Sequence, residues 1–162
     1  MAKPQTLFQL GNDLHRGSST SQAAETQVHA GTEPANEDRK DFFIERNGVS
    51  FAGTQLIIDL YEASRLDELE HVESTLRDCV IAAGATLLHI HLHHFTPNGG
   101  VSGVAVLAES HISIHSWPER GYAALDVFMC GDARPEATIE VLRLAFAPSR
   151  IGITEHLRGQ AS

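Results

Sequence analysis

Between Gly53 and Leu157 the apolar residues keep two rhythms, one of period two and one of three-to-four steps, and the switches between them mark out the elements. GTQLIIDL, from Gly53 to Leu60, is β-branched and apolar and predicts a first strand. Ser64 followed by Asp67 resembles an N-cap with an acidic first turn. Leu66, Leu69, Val72, Leu76 and Val80 then form the stripe of a helix that ends at Gly84. Thr86 to Phe95 predicts a second strand, Thr96-Pro97-Asn98-Gly99-Gly100 a turn, and Val101 to Ala108 a third strand. In the fourth, Ile112 and Ile114 alternate with His111, Ser113 and His115, which gives one apolar and one polar face. Tyr122 to Cys130 is almost continuously apolar, as for a strand covered on both faces. Pro135 opens a second helix with Ile139, Leu142 and Phe146 on one face and Pro148 as its stop, and Ile151 to Leu157 is a last strand.

The order β-α-β-β-β-β-α-β, with tight turns in the middle, predicts an α/β fold of the α+β type. It is a two-layer sandwich, a mostly antiparallel sheet with both helices on one face. The polar face of the fourth strand must then meet water, a ligand or a second subunit. Ahead of this, Gly17 to Asp41 is rich in small, polar and charged residues and has little to bury. We therefore expect a mobile extension over residues 1–46 and a single folded domain over 47–162. The apolar patch Leu7, Phe8 and Leu10 in the extension has no evident docking place.

Composition narrows the function only by exclusion. Of 162 residues, 42% are hydrophobic and 20% charged, ordinary for a soluble domain. A net charge of −9 disfavours nucleic acid and anionic membranes as partners; it would suit a cationic substrate, but the preferred reading is that it keeps the protein soluble. Two cysteines are too few for a disulfide framework, and neither a signal-like stretch near Met1 nor a run of 18 apolar residues occurs. A reducing, cytoplasmic context is expected.

Two runs carry candidate chemistry. In HIHLHH, His89, His91 and His93 share one strand face, a spacing similar to the HxHxDH of metallo-β-lactamases. That family has aspartate where His94 stands, and no second ligand motif follows. Histidines lining a cleft or a subunit contact are the preferred reading, and no metal is expected. The second run, Glu109 to Glu119, packs a hydroxyl, histidines and carboxylates into eleven residues. It lacks GxSxG around Ser110 and has no assignable orienting acid. An active site and a half-exposed strand explain it equally well.

The longer string AESHISIHSWPERGYAALDVFMCG, Ala108 to Gly131, resembles the bacterial and archaeal S-adenosylmethionine decarboxylase proenzymes. AGAT (Ala83 to Thr86), GVSGV (Gly100 to Val104) and EHLRG (Glu155 to Gly159) extend the resemblance over about residues 53–159. It implies that Ser110 attacks the Glu109 carbonyl to make an ester, and that loss of its α-proton expels the Glu109 carboxylate. Hydrolysis then leaves a covalent pyruvoyl group at 110, with chains 1–109 and 110–162 as products. The pyruvoyl ketone is the electron sink that decarboxylation of an amino acid requires and that no ordinary side chain offers. Pyridoxal phosphate is not needed, and Lys3 and Lys40, the only lysines, are poorly placed to bind it.

The same resemblance makes His115 the base for the Ser110 α-proton, Ser102 an aid to processing and Cys130 the proton donor in decarboxylation. It implies that Phe95 stacks on adenine, that Glu119 accepts from the ribose hydroxyls, and that a homodimer packs its sheets face to face. FTPNGGVSG carries one residue more than the family pattern, and Gln55 stands where relatives have histidine. Had residues 110–115 formed one straight strand, Ser110 and His115 would lie about 16 Å apart on opposite faces. A sharp, strained bend at Glu109–Ser110 is therefore expected, with Ser102 folded back toward Ser110. The rival activities are pyruvoyl-dependent decarboxylation of ornithine or arginine, a processing-dead binding subunit, and a metal-dependent hydrolase.

Overall fold

The computed structural model describes residues 43–160. The extension expected to be mobile, with Leu7, Phe8 and Leu10, lies outside the described residues up to position 42. Regular structure begins earlier than Asn47. β1 (Ile44–Arg46) and β2 (Val49–Phe51) form a hairpin across Asn47-Gly48, whose φ of 54° and 76° suit a two-residue turn of the type Asn-Gly favours.

The remaining elements follow the expected order. They are β3 (Gly53–Tyr61), α1 (Leu69–Ala83), β4 (Leu87–His94), β5 (Val101–Leu107), β6 (Ser110–Trp117), β7 (Tyr122–Met129), α2 (Thr138–Phe146) and β8 (Arg150–Arg158). Strands β3 to β8 make one sheet in the order β4-β5-β6-β7-β3-β8, antiparallel at every pairing.

One face of the sheet carries the helices. Leu56, Ile58 and Leu60 of β3, Ile112 and Ile114 of β6, and Leu125 and Val127 of β7 pack there against Val72, Leu76 and Val80 of α1 and Leu142 and Phe146 of α2. Each such side chain contributes about 1.5–3 kcal/mol through burial. Helix α1 ends where Gly84 takes φ 68°, and the Gly84 and Ala85 amides donate to the Ile81 and Val80 carbonyls.

Two expectations fail here. Ser64 does not cap α1: its hydroxyl donates to the Phe146 carbonyl, Arg65 turns the chain at φ 61°, and the helix starts at Leu69. The apolar run of β7 is not covered on both faces. Ala123, Leu125, Val127 and Met129 are buried, whereas Tyr122, Ala124, Asp126 and Phe128 point to the helix-free face and stay half-exposed.

That open face is laid out as rungs across paired strands. His93, Ser102, His115 and Ala124 lie on one rung, His91, Val104, Ser113 and Asp126 on the next, and His89, Val106, His111 and Phe128 on the third.

Candidate active site

At one end of the sheet, β5 turns into β6 through only Ala108 and Glu109, so that Leu107 pairs directly with Ser110. Ser110 pays for this turn with φ 148°, a region costly for any residue with a Cβ, by about 1–3 kcal/mol. The expected strained bend is therefore present at the Glu109–Ser110 bond.

Glu109 is held at both ends. Its carboxylate accepts from the Thr86 amide (2.8 Å) and the Thr86 hydroxyl (3.2 Å), and its carbonyl accepts from the Cys130 amide (3.1 Å). An amide aimed at that carbonyl would stabilise the negative charge that builds on its oxygen during attack. The Ser110 hydroxyl reaches the open face, with Oγ 3.1 Å from His111 Nδ1. Burial pushes the half-buried Cys130 thiol above its ordinary pKa; a backbone hydrogen bond opposes the rise and the Glu109 charge adds to it. The thiol therefore stays protonated through neutral pH.

At the other end, His115 and Ser102 face each other across β6 and β5. The His115 ring stacks on Trp117 (centroids 4.2 Å, 27°) and, more loosely, on Phe95 (6.2 Å, 27°). Phe95, Asn98, His115, Trp117 and Glu119 line a cleft of about 260 Å³. Below it, the buried Ser116 hydroxyl accepts from the Val101 amide and donates to the Leu66 carbonyl, fixing the start of β5 beneath the cleft. An aromatic stack beside a carboxylate suits a flat base carrying a diol.

The site residues thus fall into two groups. Glu109, Ser110 and Cys130 come together, and so do Phe95, Ser102, His115 and Glu119. The bend does not unite them: Ser110 to Trp117 is one continuous strand, leaving Ser110 and His115 five residues apart, about 16 Å. Ser102 is not folded back toward Ser110 either, because β5 runs antiparallel to β6 and Ser102 lands opposite His115.

The sequence put His111 on the polar face with His115, and Trp117 in the same candidate run, but gave neither a role. Thr86 and Asp126 were not singled out, because their contacts depend on neighbouring elements. His89, His91 and His93 do share the open face of β4. Among the described residues no group of three or more His, Cys, Asp or Glu side chains is gathered to hold a metal ion.

The family model for S-adenosylmethionine decarboxylase matches residues 54–159. An S-adenosylmethionine decarboxylase proenzyme of Thermomicrobium roseum is 47% identical over 108 residues, covering 66% of this chain and 93% of the relative. One of Methanococcus vannielii is 48% identical over 110 residues, covering 66% and 89%. The crystal structure of the adenosylmethionine decarboxylase from Aquifex aeolicus superposes with a TM-score of 0.62 at 33% identity, covering 69% of this chain and 94% of that one. With the sheet, the strained Glu109–Ser110 turn and the aromatic cleft already in place, the chain belongs to the S-adenosylmethionine decarboxylase family of enzymes.

Proposed function

We propose that this protein is a proenzyme that cuts itself between Glu109 and Ser110, converts Ser110 to a pyruvoyl group and decarboxylates S-adenosylmethionine, supplying the aminopropyl donor for spermidine synthesis. The observation that carries the reading is the scissile turn, where a strained serine adjoins a carbonyl already hydrogen-bonded to the Cys130 amide. The residues around position 110 fit the group: Cys130 borders it, and Thr86 anchors the Glu109 side chain while the main-chain carboxylate of Glu109 is expelled. When formed, the pyruvoyl carbonyl supplies the electron sink for the carbanion left by carbon dioxide. Cys130, with its raised pKa, supplies the proton.

The separation of the two residue groups supports a site shared between two chains. The open face exposes Ile57, Val106 and Trp117, each 36–41% accessible, apolar side chains on three separate strands that a second sheet would cover. A two-fold axis lying between the sheets and perpendicular to the strands reverses strand direction. It sets Ser110 and Cys130 of one protomer against Phe95, Ser102, His115 and Glu119 of the partner subunit. His115 of the partner subunit then takes the Ser110 α-proton, with Ser102 of the partner subunit beside it. The two free cysteines suit a cytoplasmic enzyme, and among the described residues no helix is long and apolar enough to cross a membrane.

Intact-mass measurement of the purified protein, followed by carbon dioxide release from S-adenosylmethionine, ornithine and arginine in parallel, tests the reading. Two chains cut after Glu109, the second blocked at its amino end, and release from S-adenosylmethionine are expected. Ser110→Ala should abolish cleavage, whereas Cys130→Ala should cleave but lose turnover. A wild-type chain that never matures would refute self-cleavage, and release from ornithine or arginine alone would refute the substrate.

A further inference from the structure

We infer that His111, oriented by Asp126, is the general base that activates the Ser110 hydroxyl in the first step of self-cleavage; this rests on the self-cleavage reading above. His111 Nδ1 lies 3.1 Å from Ser110 Oγ, and its Nε2 lies 3.2 Å from Asp126 Oδ1 on the neighbouring strand β7. A carboxylate has no proton to give, so the imidazole proton sits on Nε2 and is donated to Asp126. Nδ1 is then a free lone pair, and the Ser110 O–H is the donor in that contact.

Asp126 is itself fixed. Gln55 Nε2 donates to Asp126 Oδ2 at 2.5 Å, and Gln55 Oε1 of the same side-chain amide accepts from the Arg158 guanidinium. A hydrogen-bonded chain therefore crosses β8, β3, β7 and β6 and ends on the nucleophile. The three side chains have the roles of a serine–histidine–aspartate set, with the two ring nitrogens exchanged.

The step balances without any co-reactant. Ser110 Oγ attacks the Glu109 carbonyl carbon as His111 Nδ1 takes the hydroxyl proton. The carbonyl oxygen carries the charge against the Cys130 amide. The C–N bond then breaks while His111 returns the proton to the Ser110 nitrogen, leaving an ester and a free amine. His111 acts before the ester exists and His115 after it, a division of labour that explains why two histidines accompany one serine.

The two stages differ toward hydroxylamine, which cleaves an ester under neutral conditions that spare the amide. Purified His111→Ala, Asp126→Asn and His115→Ala variants, with the wild type, are followed by intact mass with and without neutral hydroxylamine. We expect wild type to cleave unaided and His115→Ala to be cut at 109 only by hydroxylamine. His111→Ala should be slowed about 100-fold, remain hydroxylamine-resistant and regain cleavage with added imidazole. Asp126→Asn should be slowed at the same stage. In an uncleavable Ser110→Ala background, Asp126→Asn should also shift the His111 ring 15N resonances away from the Nε2–H tautomer, a readout that a merely structural aspartate would not move. Wild-type cleavage rates in His111→Ala, or an ester trapped by hydroxylamine in that variant, would overturn the assignment while leaving self-cleavage intact. A wild type that never cleaves would remove both.

Discussion

The proton-donor role proposed for Cys130 requires a thiol rather than a thiolate, and its surroundings favour the thiol. Burial raises its pKa, with the Glu109 charge acting in the same sense. Alkylation needs the thiolate, so iodoacetamide should label Cys130 more slowly than a free cysteine at mildly alkaline pH and catch up only as pH climbs through the raised value. Cys79 does not obscure the measurement, because complete burial pushes its thiol to about 12. Labelling of Cys130 at the rate of a free thiol, or full carbon dioxide release after labelling, would contradict the proton-donor role. Ser110, His115 and Cys130 became candidates through a resemblance carried by a long string of residues, whereas the contacts around Ser110 left no such trace. Thr86 reaches Glu109 across 23 positions and Asp126 reaches His111 across 15, and no local spacing announces such contacts.

At the scale of elements, the period-two and three-to-four-step patterns gave all six strands of the main sheet and both helices in order, since burial on one side imposes those periods directly. The misses have local causes. The Asn47-Gly48 hairpin is too short to show a rhythm, and the hydroxyl of Ser64 is captured by α2 rather than by α1. An apolar run, moreover, does not reveal that one face of β7 is left half-exposed within this chain. One pairing turns on a single residue: a Cβ on Gly103 would sit 2.1 Å from the His91 carbonyl oxygen and 2.8 Å from Leu92 Cα on β4. Gly103→Ala should therefore force the edge strand away and destabilise by about 1–3 kcal/mol, read as a lower urea midpoint. An unchanged midpoint would mean that β4 does not approach β5 this closely.

For the whole molecule, a site shared between two chains predicts complementation. Ser110→Ala and His115→Ala each fail alone, but a mixed dimer pairs an intact Ser110 with an intact His115 of the partner subunit at one of its two sites. Co-expression should thus restore cleavage and turnover to about half the sites of each mixed dimer, measured by intact mass after purifying doubly tagged protein. Absence of any restoration would place both residues' work within one chain. The strand order also decides how the two pieces of the proposed cut would hold together. Residues before the cut supply β4, β5 and β3, and residues after it supply β6, β7 and β8, so β3 is laced between two strands of the other piece. The two products of the proposed cut would be interlocked rather than docked. Prising them apart means tearing three ladders at once, and the severed chain should unfold as a single cooperative body instead of shedding a fragment.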